Sequence, residues 1–115
     1  MREAGAGTTA PWKPKPKDFE PLDHFFWEMR AVNPETGLRR FYIIRVVQNL
    51  FREWEVIVHH GRIGTGGRTR TLFFEDPAAL PHTLAPMIRK RLNAKARLGV
   101  NYVIVETNYT PPGAA

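Results

Sequence analysis

The chain has 115 residues, no cysteine and a formal charge of +6, because 17 Lys and Arg stand against 11 Asp and Glu. This length allows one modest hydrophobic core rather than two domains, and the absence of cysteine excludes a disulfide framework and a thiolate metal site. No apolar run is long enough for a transmembrane helix, and residues 1–10 lack the apolar core of a secretion signal, so we expect a soluble cytoplasmic protein.

The positive charge is concentrated in the second half of the chain. Residues 56–105 contain eight basic and two acidic residues, whereas the remainder contains nine of each. Contacts from Lys and Arg to phosphates supply much of the affinity of proteins for nucleic acids. The asymmetry therefore favours a polyanionic partner, and an ordinary basic surface is the alternative interpretation.

Both ends of the chain are predicted to lie outside the core. Residues 1–21 include a Lys-Pro run, in which proline removes backbone donors and disfavours helix, and they are predicted to form a flexible arm. The arm is either an inert linker or a tether whose lysines touch phosphates or whose Trp12 docks on the domain. Residues 109–115 are predicted to be a disordered tail, which leaves residues 22–108 as the domain.

Two β-rich runs open the domain. Residues 25–32 and 40–47 flank a turn sequence at 33–37, and this arrangement predicts a hairpin. In the second run Tyr42, Ile44 and Val46 alternate onto a wholly apolar face, which should meet the core.

Two further strands flank a glycine-rich segment. The third strand is predicted over residues 54–60, with its even-numbered side chains, His60 included, on one face. Residues 61–67 contain four glycines, which permit positive φ angles and close approach of another molecule to the backbone. The fourth strand, over residues 68–74, places Arg68 and Arg70 side by side.

A helix is predicted after the fourth strand. Because Pro81 and Pro86 would each break an ongoing helix, we expect a short turn first and then a helix with Thr83 as its N-cap. The helix should continue to about Leu98, with Gly99 as its left-handed terminator.

Two basic residues fall within the apolar stripe of this helix. Arg91 and Lys95 would be costly there without a partner. They either extend past the sheet edge or mark an end of the helix that is open to a ligand. With a last strand over residues 101–106, the expected fold is α+β, with a small antiparallel sheet of four or five strands and one C-terminal helix packed on a face.

Several spaced motifs resemble the WGR domain. They are Arg40-Phe41-Tyr42, Asn49-Leu50-Phe51 ahead of Trp54, Gly61-Arg62-Ile63-Gly64 with Gly67, and a basic helix end followed by Gly99. The WGR domain is found in DNA-dependent poly(ADP-ribose) polymerases, in molybdate-regulator-like proteins and as short stand-alone bacterial proteins, and the chain is most similar to the stand-alone kind. The hairpin that begins near Leu22 extends the resemblance.

The residue that names the motif is different in this chain. His60 occupies the position of the family's tryptophan, while Gly61 and Arg62 are retained. In the polymerases that tryptophan packs against the terminal nucleotide at a DNA break, and the arginine helps to join the domain to its neighbours and the DNA. The resemblance implies similar roles for His60 and Arg62. Imidazole can stack on a sugar or base and can bond to phosphate, with less apolar area than indole.

The main hypothesis is a non-enzymatic DNA-binding module that contacts phosphates and DNA ends or breaks. RNA binding and a protein-interaction adaptor with the same fold are the alternatives. The predicted nucleic-acid-binding residues are His60, Gly61, Arg62, Arg68, Arg70, Arg89, Lys90, Lys95 and Arg97.

No cofactor, metal, membrane or small-molecule substrate is predicted. The glycine-rich segment lacks the Gly-Lys-Ser/Thr ending of a P-loop. His59 and His60 alternate across a strand and cannot chelate one ion together, and His24 and His82 stand among residues that do not ligate metals. No nucleophile or acid/base group has a partner that would tune it, and the chain has no room for the polymerases' catalytic domain, so no enzymatic activity is expected.

Overall fold

The computed structural model describes residues 12–19 and 24–109. The described elements follow one another as a 3₁₀ turn at Pro16–Phe19, β1 at Phe25–Asn33, β2 at Leu38–Gln48, β3 at Trp54–Arg62, β4 at Arg68–Phe74, a second 3₁₀ turn at Pro77–Ala79, α1 at Leu80–Leu92, α2 at Lys95–Leu98 and β5 at Val103–Thr107. The strands form one five-stranded antiparallel sheet in the order β4-β3-β2-β1-β5. The expected α+β class and the hairpin of β1 and β2 are confirmed.

Buried hydrophobic residues of the sheet and of α1 form one core cluster. The predicted apolar face of β2, with Tyr42, Ile44 and Val46, is buried, and Leu84 and Ile88 of α1 join the same cluster. We call this side of the sheet the core face and the opposite side the outer face. None of the described helices is long and apolar enough to cross a membrane.

The start of the helix differs from the prediction. α1 begins at Leu80, so Thr83 is not its N-cap, and Pro81 lies in the first turn. Proline is tolerated there because its missing N–H would have no partner within the helix. Pro86 lies inside α1 and withholds the hydrogen bond that its N–H would give to the carbonyl of His82. Since both residues are exposed, water can solvate that carbonyl.

The helix is also interrupted before the predicted end. α1 ends at Leu92, and the backbone N–H and side-chain Nδ2 of Asn93 both donate to the carbonyl of Arg89, at 3.1 and 3.0 Å. Asn93 thereby satisfies a carbonyl at the helix end, which stops propagation. The following Ala94 is fully buried, and the chain then starts the short helix α2.

The last strand begins two residues later than predicted. Asn101 and Tyr102 are engaged by the helices instead of by β1. The side chain of Asn101 accepts from the N–H of Lys95 at 2.7 Å, and the N–H of Tyr102 donates to the carbonyl of Arg91 at 3.1 Å. Pairing with β1 therefore starts at Val103.

Gly99 ends α2 as predicted. Its φ of 80° is left-handed, and a Cβ at this position would lie 2.6 Å from Nδ2 of Asn33. The Asn33 amide donates to the carbonyl of Leu98 at 3.3 Å and accepts from the N–H of Glu35 at 3.1 Å. The glycine thus allows the turn between β1 and β2 to be tied to the end of α2.

The described part of the predicted arm packs on the domain. Phe19 is 1% exposed, and the Trp12 ring lies 6.1 Å from Trp27 between ring centroids. The guanidinium of Arg89 donates to the carbonyl of Pro14 at 3.1 Å. Residues 12–19 therefore correspond to the docked alternative rather than to a flexible arm. The other parts of the predicted arm and tail, residues 1–11, 20–21 and 110–115, lie outside the described residues.

Candidate nucleic-acid interface

At one end of the sheet the core face carries exposed polar side chains. There Tyr42 pairs with His60 on β3, and His60 pairs with Arg68 on β4. Val58, the next core-facing residue of β3, pairs with Arg70. Because residues directly opposite each other in an antiparallel pair project from the same face, the two arginines flank the imidazole on the core face.

Arg91, on α1, is the third arginine at this end of the sheet. Its guanidinium carbon lies 4.0 Å from the ring centroid of the buried Tyr42, a cation–π geometry, and it also donates to the carbonyl of Met87 at 3.4 Å. The aromatic ring accommodates the charge that the helical periodicity placed in the apolar stripe. Arg91 was not among the predicted site residues, and its position in that stripe was the signal that could have found it.

Neighbouring arginines affect the pKa values of His60 and Tyr42. The pKa of His60 is lowered, first by desolvation against the sheet and then by Arg91, Arg70 and Arg68. Burial raises the pKa of Tyr42, and Arg91 and Arg70 partly oppose that rise. The lowered pKa disfavours the charged imidazole, so the positive charge at this end of the sheet belongs mainly to the arginines.

We call His60, Arg62, Arg68, Arg70 and Arg91 the cationic cluster. Its four arginines form no ion pair with a carboxylate of residues 12–19 or 24–109. His60, Arg62, Arg68 and Arg70 are exposed, and Arg91 is half-buried. Guanidinium groups that converge in this way without a carboxylate partner among these described residues are suited to bind an anion, because each offers several N–H donors.

The glycine-rich segment lies beside the cluster and is closely packed at Gly61 and Gly67. A Cβ on Gly61 would lie 2.7 Å from Cα of Gly67, and a Cβ on Gly67 would lie 2.6 Å from the carbonyl oxygen of His60. Both glycines are thus required by backbone packing. The segment also borders a shallow depression of about 450 Å³, lined by His60, Gly61, Arg62, Thr65, Gly67 and Arg68.

Arg62 has a structural contact as well as an exposed position. Its guanidinium donates to the carbonyl of Gly37 at 3.4 Å, which links β3 to the turn between β1 and β2. Arg40 pairs with Arg62 across the strands and is also exposed. Arg40 is a second residue that the predicted set omitted, although it belongs to the Arg-Phe-Tyr motif.

The remaining predicted residues lie elsewhere. Arg89 is directed to Pro14, and Lys95 lines a different depression that includes Arg30 and Val103. The guanidinium of Arg97 donates to the carbonyl of Lys90 at 3.3 Å, at the end of the helical segment. The structure therefore brings together the residues predicted on β3 and β4 and does not gather the helical residues around them.

Comparison with known proteins identifies the domain. A search of curated proteins finds no match to the chain. The model of the WGR domain family, a family of nucleic-acid-binding modules, matches residues 26–96, from β1 into α2. This match includes the sheet strands β2 to β4 and every residue of the cationic cluster. Because it spans more than half of the chain, the chain belongs to the WGR domain family.

Proposed function

We propose that this protein is a non-enzymatic DNA-binding module that holds phosphates in the cationic cluster. The observation that carries the proposal is the convergence of Arg68, Arg70 and Arg91 around His60 without a carboxylate partner among the described residues. A phosphate placed between these guanidinium groups would accept charge-assisted hydrogen bonds and offset their mutual repulsion.

His60 gives the cluster a contact for the sugar or base next to that phosphate. It is exposed, and its ring centroid lies 5.9 Å from that of Tyr42, so one face of a flat, partly apolar group is presented beside the arginines. At a DNA end the terminal nucleotide is open to such a contact, whereas within a duplex the neighbouring nucleotide covers it. We therefore propose a preference for ends or breaks over continuous duplex, with little dependence on sequence because phosphate contacts carry no base information.

The proposal is tested by titrating blunt, nicked and single-stranded oligonucleotides at several salt concentrations. The logarithm of the binding constant should fall linearly with the logarithm of the salt concentration, with a slope of about −3 for about three neutralised phosphates. Blunt or nicked DNA should bind more tightly than a closed circle of the same sequence.

Substitutions test whether binding depends on the cationic cluster or only on the net positive charge of the protein. Replacing Arg68 and Arg70 together by alanine should weaken binding by at least about tenfold and reduce the salt slope by about 2. Arg30→Ala is the matched control, because Arg30 is an exposed β1 arginine that pairs with Glu28 at 3.2 Å. Absence of binding at low salt, or binding that ignores salt, would refute the proposal. Competition with RNA of equal length distinguishes DNA from RNA as the preferred ligand.

A further inference from the structure

The loop between β2 and β3 presents two large apolar side chains to solvent. Leu50 is 100% exposed and Phe51 is 85% exposed. On β4, Phe73 is 61% exposed and pairs with Glu55, so it lies at the same end of the sheet. We call Leu50 and Phe51 the apolar tip. Such clustered exposure of large apolar groups is typical of an interaction site.

The apolar tip is held in place by its loop. The side-chain oxygen of Asn49 accepts from the N–H groups of Phe51 and Glu53 at 2.9 and 3.0 Å. Its amide nitrogen donates to the carboxylates of Glu53 and Glu55 at 3.1 and 3.0 Å. Arg52 completes the turn with a φ of 66°, which is costly for a residue with a side chain. The loop that exposes Leu50 and Phe51 therefore has a defined conformation, held by the hydrogen bonds of Asn49.

The charges around the tip are mostly negative, with Arg52 of the same loop as a basic exception. Glu53 and Glu55 lie on its β3 side, and Glu75 and Asp76 follow directly on β4. Carboxylates at these positions oppose a phosphate backbone or an anionic lipid surface. A partner for the tip should instead offer an apolar recess with a positive border.

The outer face of the same chain has that chemistry. A depression of about 440 Å³ lies across β2, β3 and β4 and is lined by Ile43, Arg45, Ile57, His59 and Thr69. Its floor is apolar. Arg45 is exposed on its border, with the guanidinium carbon 5.3 Å from the Phe26 ring centroid. We call this depression the outer-face recess.

We propose that two copies of this chain associate through their outer faces, with the apolar tip of each copy seated in the outer-face recess of the other. The five strand steps from Ile43 to Gln48 cover about 17 Å, and the turn that carries Leu50 follows directly. Two sheets that face each other about a two-fold axis near the middle of this span exchange tips reciprocally, and the assembly closes as a dimer. The carboxylates beside each tip then approach Arg45 of the other copy.

The dimer is independent of the proposed function. The cationic cluster lies on the core face, at the end of the sheet opposite the apolar tip, so the association leaves it open on both copies. Nucleic acid is therefore omitted from the test, and its failure would not alter the oligonucleotide result.

The test is the mass of the purified full chain, measured by sedimentation velocity and light scattering up to about 100 µM, where even a modest affinity is visible. The expected result is a concentration-dependent dimer. Replacing Leu50 and Phe51 together by serine should return the mass to that of one chain, and Ile57→Asp in the recess should do the same. Val103→Ser is the control, because Val103 is exposed on β5, away from both surfaces.

Mixing the two monomeric variants gives the decisive readout. The Ile57→Asp chain keeps an intact tip and the Leu50/Phe51 double variant keeps an intact recess, so together they can make one of the two contacts and should form a weaker heterodimer. Circular dichroism verifies that each variant is folded. A wild-type chain that stays monomeric throughout the range, or a dimer unaffected by both sets of substitutions, would overturn the proposal.

Discussion

In the proposed interface, His60 stands where the sequence resemblance predicts the tryptophan that names the family. An indole there would offer a large apolar surface, whereas the imidazole offers a smaller one together with two nitrogens that bond or titrate. Desolvation and the neighbouring Arg91, Arg70 and Arg68 keep the pKa of this imidazole below its ordinary value of 6.5. The charge state of His60 therefore depends on whether an anion is bound beside it.

A bound phosphate should raise the pKa of His60, because it compensates the arginines that lower it. DNA binding is then coupled to proton uptake, so affinity should increase as the pH falls from 8 to 6. NMR titration of the imidazole resonances, with and without an oligonucleotide, checks the shift. The resonance of His82, exposed on α1, should not respond to the oligonucleotide. A His60 midpoint that is unchanged by saturating DNA would contradict the coupling.

In the free protein the same lowered pKa has the opposite consequence for stability. The unfolded chain binds a proton at His60 more readily than the folded chain does, so the free energy of unfolding decreases as the pH falls through 6.5 toward the folded pKa. His60→Asn should reduce this decrease in urea denaturation series at pH 7 and pH 5.5. An identical decrease in the variant would assign the effect to other groups.

Among the elements, α1 combines a tolerated and a disruptive proline. Pro81 lies in the first turn, where no hydrogen bond is lost, and Pro86 lies in the interior, where one is lost. The exposed position of Pro86 limits the damage to one solvated carbonyl. The helix is therefore formed because its buried face joins the core, in spite of its local sequence.

Pro86→Ala should raise the free energy of unfolding by about 1 kcal/mol, because the restored N–H can donate to the carbonyl of His82 and the added flexibility of the unfolded chain offsets part of the gain. Urea denaturation measures the change. Pro81→Ala is the matched comparison and should give no gain, since Pro81 is buried and its position needs no donor. Equal effects at both positions would argue against this account.

The strands were predictable because their alternation is local, whereas the surroundings of the basic residues on α1 depend on contacts distant in sequence. The apolar side of β2 and the neighbourhood of Arg68 and Arg70 follow from a period of two. The position of Arg91 depends on the Tyr42 ring, which lies 49 residues earlier in the chain. Arg89 likewise donates to the carbonyl of Pro14, so this basic residue on the exposed side of the helix links α1 to residues 12–19.

On the scale of the whole molecule, residues 12–19 are part of the packed structure. Phe19 is buried among aromatic rings, with centroids 5.9 Å from Phe25 and 5.3 Å from Tyr109, which follows β5. Residues from both ends of the described chain thus close the same side of the core. The domain boundary predicted at residue 22 divides this aromatic cluster.

Phe19→Ala should lower the free energy of unfolding by about 3 kcal/mol, the range of a large aromatic side chain removed from a core. Lys17→Ala, at an exposed position two residues earlier, should change it by less than about 0.5 kcal/mol. Chemical denaturation of the full chain measures both. A loss at Phe19 no greater than that at Lys17 would mean that this segment does not contribute to the fold.

The separation of charge along the sheet also affects what happens before any contact is made. Arginines converge at the Gly61 end, and Glu53, Glu55, Glu75 and Asp76 gather at the other, so the molecule carries an electric dipole in addition to its net charge of +6. In the field of a polyanion this dipole exerts a torque that turns the Gly61 end inward during diffusion. Collisions are then enriched in productive orientations, and this enrichment should disappear once added salt shortens the screening length below the size of the domain.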